Sequence, residues 1–221
     1  VTIQDWTTDT DNYIRVFTPY ETTQVGVPQR HRGKAGMYNY RLHCASNGSH
    51  CIDIDQDYTV IDGLEVKQES TGVSDEGIRV SASAGAAIKN CIVWASVKSD
   101  DQDGIYAGDY SVDEINVFNT IVYGFYRAGI HAQNHSTSGV TQTWNITNCT
   151  VYDCGSAGET ESGGIRMRSA SGSVVTMNAV NCMALNTTEQ DDFVRHDVRS
   201  DWGESRFNIS SDESAHCPYT E

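Results

Sequence analysis

Nothing in the chain approaches the ~18 consecutive apolar residues of a membrane-spanning helix, so the sequence offers no candidate span. Basic residues are scarce: 15 Lys and Arg stand against 30 Asp and Glu, a formal charge of −15. Such a chain repels phosphate backbones and anionic membrane surfaces, which argues against nucleic acid as a general partner. Proline is nearly missing, with 3 residues. No CxxC pair occurs, so a zinc site is only weakly supported, and the seven histidines show no metal spacing such as H-E-x-x-H. Serine-hydrolase elbows, phosphate-cradling loops and dinucleotide fingerprints are lacking too. Val1 is preceded by neither an initiator Met nor a charged-then-apolar leader. The expectation is a processed chain or a fragment.

What is present is a repeat. Val60–Val66, Ile88–Val93, Val117–Val122, Ile146–Val151 and Ala179–Ala184 each carry Asn or Asp in one slot, flanked by β-formers. The slots are Asp62, Asn90, Asn119, Asn148 and Asn181, at steps of 28, 29, 29 and 33, and Asn208 extends the series. A second motif interleaves: Gly77-Ile78-Arg79, Gly104-Ile105-Tyr106, Gly129-Ile130-His131 and Gly164-Ile165-Arg166, with a degenerate copy at Phe193-Val194-Arg195. Apolar residues alternate at a period of two, which excludes helical repeats. Gly, Ser, Thr, Asn and Asp supply the tight turns between short strands.

This pattern predicts an all-β parallel β-helix, a solenoid of roughly seven coils forming one domain over residues 1–221. Two short strands per period are expected, with coils stacked at the ~4.8 Å strand spacing. The Asn slots are expected to point inward as an internal ladder, satisfying their amides from coil to coil. No end caps are visible in the sequence. If residues 1–221 are the mature chain, its exposed strand edges would need a sister subunit, giving an oligomer or filament. If the chain is a fragment, the caps lie elsewhere.

The Asn-led strand repeats and the Gly-Ile repeats resemble the right-handed parallel β-helix proteins of the pectate-lyase-like superfamily. Asp11–Pro19, followed by Gln29-Arg30-His31-Arg32-Gly33-Lys34, is similar to uncharacterised environmental bacterial and bacteriophage members. The resemblance implies right-handedness. It does not choose an activity, because this fold hosts lyases, hydrolases, tail fibres and inert rods.

If the Ile of each Gly-Ile motif points inward, the next residue points outward. Arg79, Tyr106, His131, Arg166 and Arg195 then form a stripe, flanked by Ser81, Gln133 and Arg168. Arg can fork carboxylates or sulfates and Tyr can stack on sugar rings, so the stripe is a candidate glycan-binding surface. The alternative is pairing with the abundant acids of neighbouring coils. Asp100, Asp101 and Asp103, with Asp109 beyond, are the densest carboxylate group. They are weak candidates for acid–base catalysis or for a Ca²⁺ site, against a plain solvated turn. The Gly-His-Gly and Arg-Ile-Lys motifs of β-helix polygalacturonases are missing, and no local motif marks Arg127 or Arg166 as the base of a β-helix lyase. Arg30, His31, Arg32 and Lys34 form a basic loop suited to docking on an acidic patch.

Asn47, Asn134, Asn145, Asn148, Asn186 and Asn208 head glycosylation sequons. Seven cysteines leave at least one thiol free or paired with another chain. Cys44–Cys51 and Cys149–Cys154 are near enough in sequence for local disulfides, with buried thiols as the alternative. No cofactor is expected, Ca²⁺ aside. Together these features predict a non-enzymatic structural or adhesive module outside the cell or on a cell or virion surface, meeting glycans or sister subunits. The competing reading is a polysaccharide lyase or glycoside hydrolase acting on an acidic polysaccharide.

Overall fold

The computed structural model describes residues 1–25, 28–36, 40–81, 84–108, 114–135, 139–156, 162–169, 172–187, 191–195, 199–212 and 214. Asp109, His196 and Cys217 lie outside them. The described chain is all-β apart from one helical turn at Thr22–Val25. Twenty-one strands form three seven-stranded sheets, and each sheet takes every third strand of the sequence in order. All pairings between these strands are parallel. The result is a parallel β-solenoid. Among the described residues, no helix is long and apolar enough to cross a membrane.

The first sheet runs through Thr2–Ile3, Ile52–Ile54, Ile78–Val80, Asp103–Ala107, Ala128–Asn134, Gly163–Ser169 and Phe193–Arg195. The second holds, among others, Thr59–Asp62, Ala86–Lys89, Glu114–Phe118, Thr141–Thr147 and Val174–Val180. The third holds Glu65–Gln68, Ile92–Ala95, Ile121–Tyr123, Thr150–Tyr152 and Met183–Leu185.

Register places like on like inside the coil. Ile52, Ile78, Ile105, Ile130, Ile165 and Phe193 form one inward column. Val66, Val93, Val122, Val151 and Ala184 form another. All of these are buried. Burying each Ile or Val side chain stabilises the fold by ~1.5–3 kcal/mol, so the columns dominate the energetics. The glycine of the Gly-Ile motif is a packing requirement. A Cβ on Gly104 would sit 2.3 Å from Val122 Cγ1 and 2.5 Å from the Gly129 carbonyl of the next coil.

Three strands per period, not two, follow from the conformation of the Asn slots. Asn90, Asn119, Asn148 and Asn181 all have φ between 48° and 55°. This is the left-handed region, which Asn tolerates better than other side-chain-bearing residues. What reads as one strand through Val117–Val122 is therefore two, bent at a corner on Asn119. The corner also corrects the inward ladder. Asn119, Asn148 and Asn181 are exposed and Asn90 half-buried, on the outside of the coil. Asn119 Nδ2 donates to Asn90 Oδ1 at 2.9 Å, and Asn181 Nδ2 to Asn148 Oδ1 at 2.7 Å. The end slots shift by one residue: Gly63 (φ 78) and Phe207 (φ 58) turn those corners, not Asp62 and Asn208. A second stack, Asn116–Asn145–Asn178, runs along the second sheet with amide contacts of 3.0 and 2.8 Å.

Candidate functional site

The outer face of the first sheet carries a polar cleft of about 690 Å³. Its walls include His50, Glu76, Arg79, Asp101, Tyr106, Arg127, Gln133, His135 and Arg168. Three arginines thus gather on one face of a chain with formal charge −15. Register explains the gathering. Asp53, Arg79, Tyr106, His131 and Arg166 are successive members of one column, and Gln133 pairs with Arg168 beside it.

Asp103 lies at the centre of the charge network and is fully buried. Arg127 Nε donates to its Oδ1 and Oδ2 at 3.2 and 3.0 Å. The His131 ring meets Oδ2 through Nδ1 at 2.8 Å. Burial opposes the charge of Asp103, but His131 and Arg127 hold its carboxyl well below the usual range. Burial pushes His131 down to about 4; Asp103 opposes this, while Arg166 and Arg127 reinforce it. At neutral pH the ring is therefore uncharged and donates an N–H to the Asp103 carboxylate. Arg127 also reaches Asp101 Oδ1 at 2.5 Å and lies 5.6 Å from the Tyr106 ring centre. Its own pKa is raised: burial opposes the charge, but Asp103 and Asp101 outweigh it.

Glu76 sits one coil from Asp103, with Gly77 N donating to Asp103 O at 3.0 Å. Its carboxyl is buried against the His50 ring. Burial raises its pKa, His50 works against the rise, and Asp103 adds to it. Arg79 Nη1 lies 3.2 Å from His50 Nε2. Glu76 lines the cleft with its pKa raised by burial, while Asp103 lies buried behind Arg127 and His131, which hold its carboxyl low.

The predicted site residues fall into distinct groups. Arg79, Tyr106 and Arg168 line the cleft as expected of the stripe. His131 and Arg166 belong to the same column but are wholly buried and do not line the cleft. Arg195 leaves the column: it pairs with Met167, and Val194 stands opposite Arg166. Its Nη1 donates instead to the Ser200 carbonyl at 3.4 Å. Asp101 and Asp103 are bridged by Arg127, and Asp100 is exposed. Among the described residues, no group of three or more His, Cys, Asp or Glu is placed to hold a metal ion.

The basic loop divides. Arg30 Nη2 donates to Asp62 at 2.8 Å, and His31 Nε2 meets the Asn90 carbonyl at 2.7 Å, so both fold back on the coil. Arg32 and Lys34 remain exposed. Three sequons are unsuited to glycans. Asn134 is 1% exposed. Asn145 is held in the second Asn stack. Asn208 accepts from Cys182 N and donates to the Ala179 carbonyl. Asn47, Asn148 and Asn186 are exposed.

Glu76 and His50 are not among the residues the sequence pattern singles out. A signal existed: Glu76 and Asp103 each stand immediately before a Gly-Ile pair, so the repeat stacks the two carboxylates. A separate apolar hollow of about 380 Å³ borders the first strands, lined by Val1, Ile3, Leu42, Ile52 and neighbours, with no charged side chain among the described residues that line it. No protein-family model, curated protein or solved structure matches the chain.

Proposed function

We propose that this solenoid binds acidic glycan chains along the outer face of its first sheet. The single observation carrying this reading is the convergence of Arg79, Arg127 and Arg168 on one polar cleft of a chain with formal charge −15. Guanidinium groups fork carboxylates and sulfates, and Tyr106 offers a ring to a sugar face. Arg127 is already shared between Asp103 and Asp101, so Arg79 and Arg168 are the guanidiniums that meet the chain in this reading. The setting that fits is outside the cell or on a cell or virion surface, where acidic polysaccharides are met.

Calorimetric titration with a polyuronate, a sulfated glycan and a neutral glucan tests the reading. The acidic chains should bind and the neutral one should not. Arg79→Ala and Arg168→Ala should each weaken binding roughly tenfold, about 1.4 kcal/mol. Arg32→Ala, in the loop remote from the cleft, should leave it unchanged. Equal affinity for neutral and acidic chains would remove the proposal.

One pair favours a second reading, a polysaccharide lyase or glycoside hydrolase acting in the same cleft. Glu76 and Asp101 both line the cleft, and paired carboxyls can divide acid and base roles in glycoside hydrolysis. New reducing ends or unsaturated products from an acidic polysaccharide, lost in Glu76→Gln, would establish it.

A further inference from the structure

The corner after each Asn slot turns one residue inward. Cys91, Thr120, Cys149 and Cys182 occupy that position in four successive coils. Thr120 separates Cys91 from Cys149, and its Oγ1 accepts from Cys91 N at 3.3 Å. Nothing separates Cys149 from Cys182. Met183 N donates to the Cys149 carbonyl at 2.8 Å, so the two cysteines are one strand spacing apart. That spacing is ~4.8 Å, within the ~4.4–6.8 Å Cα window of disulfides. Their thiols donate to equivalent carbonyls of successive coils, Cys149 Sγ to Val117 at 3.6 Å and Cys182 Sγ to Ile146 at 3.4 Å, so the two side chains point the same way. A second pair, Cys44 and Cys51, meets beside the third sheet: Cys44 stands opposite Gln68 in register, and Cys51 Sγ donates to the adjacent Lys67 carbonyl at 3.4 Å.

Cys154 stands apart. Its Sγ meets the Tyr152 carbonyl at 3.5 Å, on a different corner from Cys149. The pairing suggested by sequence proximity, Cys149 with Cys154, therefore gives way to one between residues 33 positions apart.

We propose that Cys149–Cys182 and Cys44–Cys51 are disulfide sites, closed by exchange with a small-molecule or protein disulfide, while Cys91 and Cys154 stay as thiols. The chemistry balances in two displacements. While the coils are still closing, a thiolate of the pair attacks the external disulfide and expels one thiolate, leaving a mixed disulfide. The second thiolate of the pair then attacks that mixed disulfide and expels the other thiol. Each pair loses two protons and two electrons, and the external disulfide takes up both. The Cys149–Cys182 bond would tie the coil carrying His131 and Gln133 to the coil carrying Arg166 and Arg168, stapling two coils of the cleft.

The test uses the full chain produced in an oxidising compartment and purified without reductant. Remaining thiols are alkylated in denaturant, and tryptic peptides are mapped by mass spectrometry. The expected result joins the peptide containing Cys149 to the one containing Cys182, closes Cys44 onto Cys51, and leaves Cys91 and Cys154 alkylated. Reduction should abolish both links. Full alkylation of Cys149 and Cys182, or either one joined to another cysteine, would overturn the proposal. The map involves no glycan, so its outcome is independent of the function proposed for the cleft.

Discussion

His131 offers the sharpest energetic prediction. It is fully buried, and its ring donates to Asp103 across 2.8 Å. Burial holds its pKa near about 4, whereas an unfolded histidine titrates near ~6.5. Between those values the unfolded chain takes up a proton that the folded chain refuses. This histidine's contribution is thus fully present above ~6.5, falls as pH falls, and levels off below about 4. The whole interval is worth about 3 kcal/mol, of which about 2 kcal/mol is lost between pH ~7 and ~5. The Asp103 carboxyl is held low, so its contribution persists above its unfolded value of ~3.9 and is lost only at lower pH. It does not interfere in the window between ~5 and ~7. His131→Asn keeps an N–H donor for Asp103 and removes the titration. Urea unfolding of both proteins at the two pH values gives the comparison. The wild type should lose about 2 kcal/mol more than the variant on acidification. Equal losses would refute the buried, neutral histidine. His31 and His50 titrate in both proteins and cancel.

Other substitutions probe the stacking itself. Gly104→Ala forces a Cβ against Val122 and the Gly129 carbonyl and should destabilise by ~1–3 kcal/mol in urea unfolding. Asn119 sits at φ 48°, so Asn119→Val should cost about 1–2 kcal/mol more than Asn119→Gly by the same measurement. Trp144 fills the core without exposure, and Trp144→Ala should cost ~3–5 kcal/mol, read from the unfolding midpoint. Binding of an acidic glycan should weaken as salt rises from low to physiological strength, because the cleft's ion pairs are partly solvated; salt-independent binding would point to an apolar contact instead.

The solenoid was legible because its core repeats identical chemistry at a near-constant step. Ile78, Ile105, Ile130 and Ile165 announce one column by their spacing alone. The direction of the Asn slots was not legible. An Asn flanked by β-formers looks the same in a strand and at a left-handed corner, and only φ separates them. Arg195 shows a second limit: when the repeat degenerates, a slip of one residue moves the side chain to the other face. Burial of His131 and Arg166 was also hidden, since alternation gives facing but not cover. Glu76 was within reach, because acids that look like a local cluster along the chain become a column once the coils stack.

A crystal structure of the protein with a uronate hexasaccharide bears most directly on the central claim, that arginines from different stacked coils meet to hold an acidic chain. The account predicts sugar density along the first sheet, with carboxylates against Arg79 and Arg168. Density on another face, or an empty cleft at saturating ligand, would contradict it.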